Sequence, residues 1–158
     1  MNKKVKDLIR KYEKIYNKAP WYGESIIKIL NNVDPKVVFS KANDRSHSIA
    51  ELVAHMISWR DIIFNQINGN KESRITQKET FNWERFDKNE KTAWKSLLKE
   101  LDKNQKKIIS FLQKQEDEFL NIRPPRKSQT TEFLIEGIIQ HDVYHLGQIA
   151  LLNKILKV

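Results

Sequence analysis

The stretch IIQHDVYHLGQIALL, residues 138–152, sets two histidines four residues apart in an apolar run free of proline. On a wheel of 3.6 residues per turn, Leu134, Ile138, His141, His145, Ile149 and Leu152 step by threes and fours along one face. The run reads as an amphipathic helix whose inward face carries His141 and His145 one turn apart. Both rings can then reach a common point. The chain has only four histidines, so two of them on a core-facing stripe need a physical reason.

The same period governs the rest of the chain. Val5, Leu8, Ile9, Tyr12, Ile15, Tyr16 and Ala19 make a first amphipathic helix that Pro20 interrupts. Ile26, Ile27 and Leu30 continue it after a bend. Asp34 as N-cap and Pro35 at the first helical position predict a further short helix. Ser48 and Glu51 form a capping box ahead of a second long helix, which Gly69 ends. Its inward stripe reads Leu52, His55, Met56, Trp59, Ile62, Ile63. Residues 70–86 form a long connection with Phe81, Trp83 and Phe86 as anchors. A third long helix starts near Asp87, where D-x-x-E imitates a capping box. It turns Trp94, Leu97, Leu98, Leu101, Ile108, Phe111 and Leu112 inward. Pro124 and Pro125 mark a loop, and the last helix starts near Thr130 or Thr131. No segment shows strand-type alternation. The expected fold is all-α: a four-helix bundle with short extra helices in its connections, residues 1–158 forming one domain.

His55 shares the inward face of the second helix, so three of the four histidines point inward from two helices. A single inward histidine is ordinarily a hydrogen-bonded core residue. Three buried imidazoles without partners would cost roughly 1–3 kcal/mol for each unsatisfied group. A shared divalent ion, about 2.0–2.1 Å from each nitrogen, removes that cost. His55, His141 and His145 are therefore the candidate metal ligands. Imidazole donors without cysteine suit a divalent transition metal, with Zn²⁺ or Ni²⁺ expected, and not Mg²⁺ or Ca²⁺. Three ligands leave a coordination position open, the pattern of a catalytic site. A water there could act as nucleophile, or a substrate thiol could be ionised. Gln148, on the same face, is a candidate contact to bound water or substrate. Trp59 reads equally as pocket wall or plain core. Asp142 and Tyr144 point elsewhere, and packing or solvent exposure accounts for them better than support of a ligand. His47 precedes the cap and reads as a surface residue. No other catalytic residue stands out, and no Gly-rich phosphate loop, H-E-x-x-H or serine triad is present.

A net charge of +9 raises the question of nucleic acid. Lys91, Lys95, Lys99 and Lys103 line one helix face, but Glu90, Glu100 and Asp102 are interspersed and no aromatic residues interleave. That is a solvated face whose lysine stems shield apolar surface, so no nucleic-acid partner is expected. Cysteine is absent, which excludes disulfides and thiolate chemistry. The first residues lack the apolar core of a signal peptide, and no apolar run suits a bilayer. A cytoplasmic protein without a membrane partner is expected.

HSIAELVAHMISWRDII (47–63), followed by EGIIQHDVYHLGQIALL (136–152), resembles the DinB-like (DinB/YfiT) superfamily, and PWYGESIIKIL (20–30) is similar to its first helix. The resemblance covers nearly the whole chain. It implies an up-down-down-up four-helix bundle, often a homodimer. It also implies a divalent metal on one histidine of the second helix and the H-x-x-x-H pair of the last, here His55, His141 and His145. Members with assigned activities include thiol-dependent S-transferases and isomerases, and hydrolysis has been proposed for others. The expected function is metal-dependent chemistry on a small electrophilic substrate, S-transferase-like with a low-molecular-weight thiol or hydrolase-like. The alternative is a non-catalytic, metal-stabilised scaffold or interaction protein.

Overall fold

The computed structural model describes residues 2–69 and 90–157. Helix α1 spans Lys3–Asn17, α2 Ile26–Asn31, α3 Ile49–Ile67, α4 Glu90–Leu112 and α5 Thr131–Leu156, with a 3-10 turn at Asp117–Asn121. The described residues contain no strand. The expected all-α bundle is observed, with α2 and the 3-10 turn as its short extra helices. The expected anchors Phe81, Trp83 and Phe86 and the expected cap at Asp87 lie outside the described residues. Among the described residues no helix is long and apolar enough to cross a membrane.

Helix boundaries follow local chemistry. Ser48 Oγ accepts from the Glu51 amide at 3.2 Å, and the Glu51 carboxylate accepts from the Ser48 amide at 2.7 Å. This is the expected capping box, and it satisfies two amide donors at the start of α3. The helix stops before Gly69, whose φ of 74° suits a residue without Cβ. Thr130 caps α5 by accepting from the Phe133 amide. Helix α1 has no side-chain cap of its own. Asp117, in the 3-10 turn, supplies one from a distance, accepting from the amides of Val5 at 2.9 Å and Lys4 at 3.2 Å.

Two expectations fail locally. Residues 35–39 are turns and not a short helix. The Asp34 carboxylate accepts from the Lys36 amide at 2.9 Å, an Asx turn that diverts Asp34 from helix capping. The Val38 carbonyl then accepts from the Ala50 amide at the head of α3, which fixes the segment as a connector. Ala19, expected on the inward face of α1, lies past the end of that helix and is exposed.

The core fills the space between α3 and its neighbours α4 and α5, with α1 packed on α5 and α2 beside both. Helix α1 buries Val5, Leu8, Ile9, Tyr12, Ile15 and Tyr16 as expected. In α4, Trp94, Leu97, Leu101, Ile108 and Leu112 are buried while Lys95, Lys99 and Lys103 are exposed, so the lysine face is solvated. The buried centre of α5 runs through Ile135, Ile138, Asp142, Leu146 and Ile149. It lies to one side of the expected stripe through His141, so the histidines sit on the shoulder of the core.

Candidate metal centre

His55 enters from α3, and His141 and His145 from α5, the two long helices that pack against each other. The Nε2 atom of His141 stands 3.2 Å from His55 Nε2 and 3.1 Å from His145 Nε2. One ring nitrogen from each histidine lies within 4.8 Å of the other two. Nitrogens sharing an ion at about 2.0–2.1 Å with tetrahedral angles are about 3.3 Å apart, so the two close pairs fit such a donor set. His145 is buried, and His55 and His141 are half-buried. A position on the shoulder of the core combines low dielectric with access from outside.

The protonation states suit a cation. Burial first, then the neighbouring His145, His55 and Arg60 charges, hold the His141 imidazolium down to about 3. The ring is therefore neutral at pH 7, with a lone pair to offer. Gln148 Oε1 stands 2.7 Å from His145 Nδ1. An amide oxygen only accepts, so this ring nitrogen donates, and His145 Nε2 carries the lone pair that faces His141. Gln148, the expected contact to bound water or substrate, stands against the Nδ1 side of the His145 ring.

Two aromatic rings flank the cluster. The half-buried Trp59 ring stands 5.5 Å from His141 and 6.3 Å from His55, centre to centre. The exposed Tyr144 meets the edge of His145 at 5.0 Å. His47 is exposed, 3.8 Å from the Glu51 carboxylate and apart from the three-histidine group.

The most buried charges in the described molecule escape a reading of the sequence. Asp142, expected to be ordinary packing or exposed, is 0% exposed, and so is Arg60. Both Nε and Nη2 of Arg60 donate to Asp142 Oδ2, at 2.9 and 2.7 Å. Burial raises the Asp142 carboxyl, and Arg60 pulls it back. Burial works against the Arg60 charge, but Asp142, Tyr12 and Tyr16 together hold its pKa above the ordinary value. The guanidinium lies over the Tyr12 and Tyr16 rings at 5.2 and 5.6 Å. A signal is present in the spacing. Ile49, Val53, Met56, Arg60, Ile63 and Ile67 step by four and three, which puts Arg60 at the centre of the α3 core stripe.

A sequence model of the DinB superfamily matches residues 23–149, the span that contains all three histidines and the Arg60–Asp142 pair. The chain belongs to the DinB superfamily. No curated protein and no solved structure matches it. Membership agrees with the helical bundle and with the resemblance carried by residues 47–63 and 136–152.

Proposed function

We propose that this DinB superfamily chain is a cytoplasmic, metal-dependent enzyme that holds one divalent transition ion, Zn²⁺ or Ni²⁺, on His55, His141 and His145. It acts on a small electrophilic substrate, either as a thiol S-transferase with a low-molecular-weight thiol or as a hydrolase. The observation that carries this reading is the convergence of three ring nitrogens, His55 reaching His141 across the helices at 3.2 Å and His145 meeting His141 along α5 at 3.1 Å. Three imidazoles on a partly accessible shoulder, with His141 held neutral by its burial, are the donor set of an open site. When bound, the ion supplies a Lewis acid that lowers the pKa of a coordinated thiol or water. The protein's own part is to orient and enclose. Gln148 holds the His145 ring in the tautomer that presents Nε2. Trp59 walls the side formed by His55 and His141 and limits water there.

The protein acts as a homodimer in this reading. Phe133, Tyr144, Leu151 and Ile155 are all more than half exposed and fall on one outer face of α5. A second copy would cover that apolar stripe.

The test is turnover. Protein loaded with Zn²⁺ or Ni²⁺ is screened for thiol transfer to small electrophiles and for hydrolysis of small esters and amides. Turnover that disappears with the metal in a His141→Ala variant supports the proposal. Unchanged turnover of an identified substrate by a metal-free His141→Ala variant overturns it.

A further inference from the structure

We propose that the buried Arg60–Asp142 ion pair is the positioning element of the metal centre, holding α3 and α5 in the register that brings His55 to His141 and His145. The inference rests on the proposed metal site, and its experiment separates the two.

The pair joins the same two helices as the donor set. Arg60 lies five residues after His55 on α3, and Asp142 lies between His141 and His145 on α5. The partners are 82 residues apart in sequence, so the contact is made only when the helices dock. Both sit in the middle of buried stripes and are fully shielded from solvent. The Tyr12 and Tyr16 rings of α1 cover the guanidinium and restrict its movement.

Adhesion alone does not account for such a pair. Removing a guanidinium and a carboxylate from water is expensive, and well-packed apolar residues of similar volume commonly do as well or better. Here the bonding is also incomplete. Among the described residues Arg60 Nη1 and Asp142 Oδ1 have no hydrogen-bond partner. What the pair supplies, and leucines would not, is direction. Two N–H donors converging on one oxygen fix the distance and the rotation of α3 against α5, whereas an apolar contact slides. Metal donors need that precision, since a site works only when its groups are held within about 0.5 Å.

The pair is also compatible with a nearby cation. A lone guanidinium beside a dication held on three imidazoles would repel it. Asp142 cancels that charge, so the clamp is neutral toward the ion it positions.

The experiment compares wild type, the apolar replacement Arg60→Met/Asp142→Leu and the single variant Arg60→Lys. For each, the metal-free melting temperature, the Zn²⁺ affinity by chelator competition and the Co²⁺ ligand-field spectrum are measured. The expected result is an apolar double variant that melts, metal-free, within a few degrees of wild type yet binds Zn²⁺ about 10–100-fold more weakly, with an altered Co²⁺ spectrum. A merely adhesive pair would leave affinity and spectrum untouched. A folded double variant with wild-type Zn²⁺ affinity and Co²⁺ spectrum overturns the inference while the metal reading stands. If the double variant does not fold, Arg60→Lys decides. That variant keeps the charge and loses the fork, so weakened Zn²⁺ binding supports the inference and unchanged binding overturns it. Wild-type protein that binds neither Zn²⁺ nor Co²⁺ overturns the metal reading and this inference with it.

Discussion

Gln148 accepts from Nδ1 of His145 at 2.7 Å, one turn along the same helix and behind the ring that faces the other two histidines. The bond sets the tautomer and the ring plane together. Replacing Gln148 by Leu removes the acceptor and keeps the volume. The expected outcome is a loss of about 10–100-fold in Zn²⁺ affinity with little change in melting temperature. Gln148→Glu keeps an acceptor and should retain tight binding. Chelator competition on the two variants checks this, and equal affinities would refute the role given to the bond.

Acid should weaken the metal-free fold through His141. Its ring resists protonation down to about 3 in the folded chain, against 6.5 for an ordinary histidine. Between those values the unfolded chain binds the extra proton and the folded chain does not. Stability is therefore full above pH 6.5 and falls as the pH drops toward 3. Urea unfolding of metal-free wild type and His141→Gln at about pH 7 and about pH 5 isolates the effect. Wild type should lose more stability between the two than the variant does. Equal losses would show that His141 titrates normally in the fold.

Asp117 joins the ends of the described bundle. Its two carboxylate oxygens accept from the amides of Lys4 and Val5 at the start of α1, where Asn2 provides no side-chain cap. An anion there also meets the positive end of the helix dipole. Asp117→Ala should cost about 0.5–2 kcal/mol in urea unfolding, the usual range for a lost N-cap. Zn²⁺ affinity should stay at the wild-type value, because the contact lies outside the donor set. A variant as stable as wild type would mean that solvent serves those amides equally well.

Breaking the buried pair from one side should differ from replacing it. Arg60→Met leaves the Asp142 carboxylate at 0% exposure without its cation, and the expected loss is about 3–5 kcal/mol. Asp142→Leu added to Arg60→Met should restore most of that stability. A double-mutant cycle in urea measures both. Simple additivity of the two single losses would show that the residues do not act as a pair.

Much of this architecture is legible from spacing. The steps of three and four in α1, α3, α4 and α5 mark helices, and Ser48–Glu51 marks where α3 begins, because both signals are local. The three histidines stand out because polar rings on the inward faces of two helices need partners, and each can supply a donor to the same ion. What fails is contextual. Asp34 and Pro35 look like a helix start, but Asp34 closes a turn onto Lys36 and Val38 is tied to the head of α3. The cap of α1 by Asp117 lies 112 residues from Val5, beyond any local pattern. Arg60 and Asp142 occupy core positions in their stripes, yet neither alone marks itself as a buried charge. Only the docking of α3 on α5 shows that each is the other's partner.

Elemental analysis of purified, untagged protein beside His55→Ala and His141→Ala tests the three-histidine metal centre directly. About one equivalent of a transition metal is expected in wild type and its loss in both variants, as for a single shared donor set. Wild-type protein that holds no metal, even after incubation with Zn²⁺ or Ni²⁺, would contradict it and leave the three histidines as a hydrogen-bonded part of the core.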